Sequence, residues 1–230
     1  MATRSRVWGT PRGEPFVAAL AVPLTLAVRT LFRVRVLGAG RVPSGPVLLA
    51  ANHLSYLDPL VAAVVLYRLG RTVRFLAASE LFSKPLVGWV LRRAGQIPVV
   101  RGAGVEAMAA PACRALERGQ TVLVYPEGTI PPPGHRPPAR RGAGVLALRT
   151  SAPIIPVAMW GMEPRGRGLG RVPIRRPAAV VFGQALDLAA WRGRQEDEAA
   201  QHVSDLMLAS VRDLLPRAQA LAAGRVEDSA

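Results

Sequence analysis

Short apolar runs recur along the chain, separated by stretches with helical patterning. Residues 47–51 (VLLAA) are apolar without a break, as in a strand covered on both faces. Asp58 and Pro59 then read as a helix start, because Asp is favoured at the cap and Pro in the first turn. That helix runs through residues 60–69 and stops at Gly70. Further strands are predicted at residues 73–77, 96–100, 121–125, 154–159 and 178–182. Helices are predicted around residues 84–94, from Gly104 to near Gly119, at 143–149 and, amphipathic, at 196–215. This alternation predicts one α/β domain, with a mostly parallel or mixed sheet flanked by helices. The predicted layout is a basic and apolar N-terminal segment at 1–35, the domain at 36–216, and a frayed tail at 217–230.

The long apolar runs fall short of a membrane span. Residues 16–28 and 150–162 are uncharged runs of 13, and residues 42–57 one of 16, against roughly 20 needed to cross. The middle run also holds Pro43, Gly45, Pro46, Asn52 and His53, which suit a loop feeding a strand. Residues 16–28 differ, since Arg4, Arg6 and Arg12 precede them and Arg29 and Arg33 follow. No small-residue cleavage site follows that run, so a secretory signal fits poorly. Two readings stay open: a segment lying at a lipid interface with its arginines at the headgroups, and an ordinary buried helix.

Charge narrows the partners. The 230 residues include 30 basic and 15 acidic side chains, a net +15, and only Lys84 is a lysine. An excess of this size favours anionic partners. Aromatics are only 5%, and no helix-turn-helix, zinc-finger or RNA-binding signature is present, which argues against nucleic acid. Cys113 is the single cysteine, so an internal disulfide and any cysteine-built metal site are excluded. Three histidines, His53, His135 and His202, leave little for a histidine-rich metal site, and none is predicted.

Four segments carry candidate chemistry. No GxSxG elbow, HExxH or GxxxxGK[ST] loop occurs, which removes serine hydrolases, zincins and P-loop enzymes. NHLSYLD, residues 52–58, follows the first strand. His53 and Asp58 can meet only if His53 lies in the loop and Asp58 at or just inside the helix start. A carboxylate on one imidazole nitrogen would then leave the other to take a proton from a hydroxyl. GQIPVVRG delivers Arg101 to a strand end, where ligand sites of α/β sheets gather. VYPEGT places Glu127, Gly128 and Thr129 in a turn at another strand end. SAPIIPVAMWG reads as sheet core.

In this order and spacing the four segments resemble the lysophospholipid acyltransferase family, which includes the 1-acylglycerol-3-phosphate acyltransferases. The resemblance covers residues 47–183 and includes the linking text FLAASELFSKPLVGWVLRRAG. It implies the glycerolipid acyltransferase fold, with His53 as general base, Asp58 holding its imidazole, and Asn52 bracing the loop. It implies attack by the acceptor hydroxyl on an acyl thioester, acyl-CoA or acyl carrier protein, with no cofactor and no acyl-enzyme. Arg101, Glu127, Gly128 and Thr129 would bind a glycerol-phosphate acceptor, most simply 1-acylglycerol-3-phosphate giving phosphatidate. Ile130 departs from the family's usual EGTR, so Arg136, Arg140 or Arg141 of the same loop is expected to supply the missing cation. A peripheral or monotopic enzyme on the cytoplasmic face of an anionic cell membrane is the expected setting.

Overall fold

A computed structural model of the chain describes residues 14–132, 134–163 and 174–226. In chain order the elements are α1 (Pro15–Leu31), β1 (Phe32–Leu37), β2 (Val47–Ala51), α2 (Asp58–Arg68), β3 (Val73–Ala78), α3 (Ser79–Phe82) and α4 (Pro85–Arg93). They continue with β4 (Ile97–Val99), α5 (Gly104–Glu117), β5 (Thr121–Val124), α6 (Arg141–Arg149), β6 (Ile154–Trp160), β7 (Arg176–Phe182) and α7 (Glu196–Ala222). The strands form one seven-stranded sheet in the order β1-β7-β6-β2-β5-β3-β4. Every neighbouring pair is parallel except β6 with β7. The expected single α/β domain with a mixed, mostly parallel sheet is the fold observed.

β2 occupies the middle of the sheet, between β5 and β6, and all five of its residues are buried. Its alternate side chains serve opposite faces. Val47, Leu49 and Ala51 join α1 and α2 in one core layer, with Val61, Val65 and Phe182. Leu48 and Ala50 join α5, α6 and α7 in the other, with Leu116, Leu146 and Met207. A strand covered on both faces needs an unbroken apolar run, which is why VLLAA has one. On the second face α6 and α7 approach closely at Gly144, where a Cβ would lie 1.8 Å from the Ala200 carbonyl oxygen. Ser204, fully buried on α7, accepts the Gly144 N–H at 2.7 Å and donates to the Arg140 carbonyl at 3.0 Å. The start of α6, and the loop before it, are thereby tied to α7.

Two expectations are corrected. The boundary placed between residues 35 and 36 falls inside β1, a strand absent from the sequence reading. FRVRVL alternates apolar and arginine residues, and at the sheet edge it pairs with β7 in register, Phe32 with Arg176 through Leu37 with Val181. Residues 14–35 therefore belong to the domain, while residues 1–13 lie outside the described residues. The last helix, expected to stop at Leu215 before a frayed 217–230, continues through Pro216 to Ala222. Ala218 and Leu221 are buried against Leu37, Ala179 and Val181, and that burial outweighs the backbone hydrogen bond lost at the proline. Residues 227–230 lie outside the described residues.

Candidate active site

β2 delivers the NHLSYLD loop to the centre of the sheet at its C-terminal edge. Asp58 is the first residue of α2 and fully buried, and its carboxylate turns back into the loop rather than along the helix. Oδ2 accepts the N–H groups of Leu54 at 2.6 Å and Ser55 at 2.7 Å. The same oxygen lies 3.0 Å from His53 Nδ1, so the pairing expected from the spacing is present. Ser55 Oγ accepts the Leu57 N–H at 3.1 Å and tightens the turn between them. The carboxylate also sits at the amino end of α2, where the helix dipole favours negative charge. The His53 ring is 15% exposed, so it is held by the protein yet reachable by a substrate.

Glu127 comes to His53 through sheet register. Ala50 of β2 is paired with Val124 of β5, and His53 and Glu127 each lie three residues further along. Glu127 Oε2 accepts the His53 backbone N–H at 2.7 Å, and its side chain is buried. Burial pushes the Glu127 carboxyl above the usual carboxylate range, and the His53 N–H and the charge of Arg212 partly offset this. Asn52, buried, closes a two-way bridge to β6: its Nδ2 donates to the Met159 carbonyl at 2.9 Å and its Oδ1 accepts the Met159 N–H at 2.7 Å.

The basic residues predicted for the acceptor do not converge equally. Gly128 and Thr129 are exposed on the turn, and Gly128 has φ +69°, the left-handed region that glycine tolerates. The stem of Arg140 lies over Gly128, where a Cβ would come within 2.8 Å of Arg140 Cγ. Arg140 N–H donates to the Pro126 carbonyl at 2.7 Å, and its exposed side chain forms no ion pair among the described residues. Arg141 instead pairs with Asp197 of α7. Arg101 sits on an exposed turn beyond β4. Since β4 is three strand positions from β2, roughly 14 Å separates the two strands. Arg136 is exposed in the proline-dense loop, which Arg212 of α7 holds by donating to the Pro137 carbonyl at 2.6 Å.

Two residues near His53 were absent from the sequence reading. Tyr125 stacks on the imidazole with ring centroids 4.0 Å apart and an interplanar angle of 13°. Its place in VYPEGT was visible, but its partner depends on the β2–β5 register. Arg212 acts on Glu127 from 85 residues further along, and no local signal marks it. Among the described residues no group of three His, Cys, Asp or Glu side chains could hold a metal ion.

A family model described as Acyltransferase matches residues 33–160, which contain His53, Asp58, Arg101 and the Glu127 turn. The chain is 26% identical over 199 residues to the chloroplastic 1-acyl-sn-glycerol-3-phosphate acyltransferase BAT2 of Brassica napus, covering 80% of this chain and 53% of that protein. It is 36% identical over 100 residues to the lyso-ornithine lipid O-acyltransferase of Pseudomonas aeruginosa, covering 43% of this chain and 36% of the relative. The chain spans about half the length, or less, of these curated relatives. The crystal structure of PlsC, the 1-acyl-sn-glycerophosphate acyltransferase of Thermotoga maritima, aligns with a TM-score of 0.58 at 25% identity, covering 87% of this chain and 77% of that one. With more than half of its length matched by the family model, and His53 and Asp58 in contact at the sheet's centre, this chain belongs to the acyltransferase family.

Proposed function

We propose that the chain transfers a fatty acyl group from an acyl thioester to the free hydroxyl of a lysophospholipid, with 1-acylglycerol-3-phosphate giving phosphatidate. The observation that carries this reading is the 3.0 Å contact between His53 Nδ1 and a fully buried Asp58 carboxylate. Asp58 holds the Nδ1–H tautomer, which leaves Nε2 to take the proton as the hydroxyl oxygen attacks the thioester carbonyl. The carbon–sulfur bond breaks as the ester forms, and the thiolate leaves with the proton that His53 returns. Cys113 suits no acyl-enzyme route, because it lies in α5 and burial pushes its thiol pKa up.

Arg140 would replace the arginine that Ile130 displaces. Its stem rests on the Glu127–Thr129 turn and its charge has no ion pair among the described residues, whereas Arg141 is engaged with Asp197. A guanidinium offers a phosphate a planar, permanently charged fork. A second acceptor reading is a lysolipid with another headgroup, favoured by Ile130 and by the 36% identity to a lyso-ornithine lipid acyltransferase. The test supplies lysophosphatidate or lyso-ornithine lipid, each with acyl-CoA or acyl carrier protein, and weighs the products by mass spectrometry. Phosphatidate as the main product supports the first reading, and preferential acylation of the ornithine lipid replaces it with the second.

The enzyme would work as a peripheral or monotopic protein on the cytoplasmic face of the cell membrane. α1 has 17 residues, about 25 Å, and no helix among the described residues is long and apolar enough to cross a membrane. One side of α1 is buried on α2, while Val22 and Leu26 face outward. Phe16 packs edge-on against Trp89 of α4, ring centroids 5.2 Å apart, with Arg93 beside it. Leu86 and Trp89 are exposed, and Lys84, Arg92 and Arg93 lie along the same short stretch. An apolar surface edged by cations suits an anionic bilayer. Leu86→Ser with Trp89→Ser should lower binding to anionic vesicles about tenfold, and binding at the wild-type level would refute the assignment.

A further inference from the structure

Two buried polar atoms beside His53 take no part in the hydrogen bonds that hold the loop. All three donors on Asp58 converge on Oδ2, and Oδ1, equally buried, has no partner among the described residues. The Tyr125 hydroxyl is likewise buried and has no partner there. Leaving either group unpaired is costly, and the two are complementary: a phenol has a proton to give and a carboxylate oxygen only accepts. They also flank the same imidazole, Asp58 Oδ2 at its edge 3.0 Å from Nδ1 and the Tyr125 ring on its face with the two ring centroids 4.0 Å apart. We propose that Tyr125 Oη and Asp58 Oδ1 hold one water between them, which makes Tyr125 a positioning residue for the His53–Asp58 pair.

The polarity of that water follows from its neighbours. Burial, reinforced by the charge of Asp58, holds the Tyr125 hydroxyl protonated well above the usual tyrosine range. The phenol therefore donates to the water, and the water donates to Oδ1. A donor on Oδ1 steadies the carboxylate as an anion and keeps Oδ2 aimed at Nδ1. The other charged groups near the imidazole act elsewhere: Glu127 accepts the His53 backbone N–H, and Arg212 bears on Glu127 from α7.

This inference rests on His53 as the base, so its first readout needs no turnover. The His53 imidazole is titrated by NMR in the full chain, its signal identified by its loss in His53→Ala among three histidines. In Tyr125→Phe the stacked ring stays and the hydroxyl goes. The carboxylate becomes more basic and binds the imidazolium more tightly, so His53 should titrate about half a pH unit or more higher. The acidic limb of kcat/KM should move the same way, and kcat at neutral pH should fall about tenfold with KM within about twofold. In an Asp58→Asn background the same change should leave the titration unmoved. An unchanged titration and kcat with a raised Tm would overturn the proposal, since that is the signature of removing an isolated buried hydroxyl. An equal shift in the Asp58→Asn background would also overturn it, because Tyr125 would then act through the stack alone. Wild type inactive with every donor and acceptor would instead count against the proposed function and leave the titration result standing.

Discussion

His53 is fixed at its ring edge by Asp58, at its ring face by Tyr125 and at its backbone amide by Glu127. Arg140, on the facing loop, has its backbone held by Pro126 and Ser204, while its side chain is steadied only where the stem lies over Gly128. The imidazole is thus preorganised by buried contacts, while the guanidinium keeps its freedom in solvent. That division suits the proposed chemistry. A proton acceptor must stand ready in one orientation, because reorganising during reaction would add to the barrier. A headgroup ligand can adjust to its phosphate, and a long exposed arginine does so at little cost in buried structure. Changes on the base side should therefore reduce kcat, and changes on the basic side should raise KM.

The largest effect should come from the proposed base. His53→Ala is expected to lower kcat by about a thousandfold, and Asp58→Asn by about a hundredfold, in steady-state assays with the fold checked by circular dichroism. Glu127 sits one step back. Glu127→Ala leaves the His53 N–H without its acceptor and should reduce kcat by roughly ten- to a hundredfold, whereas Glu127→Gln, which retains an acceptor oxygen, should stay within about fivefold.

The same residue gives a pH test with a definite sign. Because folding raises the Glu127 pKa, its protonated form favours the native state. That contribution is full below the unfolded value and is lost as pH rises through the folded one. The Tm of Glu127→Gln should match wild type below about pH 4 and exceed it at neutral pH. A wild-type Tm that rises relative to the variant over that range would contradict the assignment.

On the basic side, Arg140→Ala should raise acceptor KM about tenfold with kcat within about twofold, and Arg141→Ala should move KM less than about twofold. Equal effects of the two would break the distinction drawn from the Arg141–Asp197 pair. The smallest effect should be on stability. Gly128→Ala must hold a left-handed backbone and displace the Arg140 stem, at about 1–2 kcal/mol, read as a few degrees of Tm.

How much of this was legible in the sequence depended on how local each signal is. The VLLAA run and the Asp58–Pro59 start are local, and they put His53 in the loop after a strand and Asp58 at the helix start, whereas the central place of that strand in the sheet is tertiary. β1 was missed because Arg33 and Arg35 interrupt its apolar positions, a pattern an edge strand accommodates. The last turns of α7 were missed because Pro216 is a local stop signal, while the burial of Ala218 and Leu221 is tertiary. Glu127 was legible as a candidate site residue, but its hold on the His53 amide follows from the Ala50–Val124 register, which no spacing reveals. Tyr125 and Arg212 depend on the same assembled geometry. The arginines were legible as charge alone, and only the packing separates Arg140 from Arg141.

The central claim is tested most directly by thiol release from an acyl thioester, measured with and without lysophosphatidate, for wild type and for folded His53→Ala. The account predicts that wild type releases thiol only when the acceptor is present, and that His53→Ala reduces this release about a thousandfold. Acceptor-dependent release by His53→Ala at the wild-type rate would contradict it.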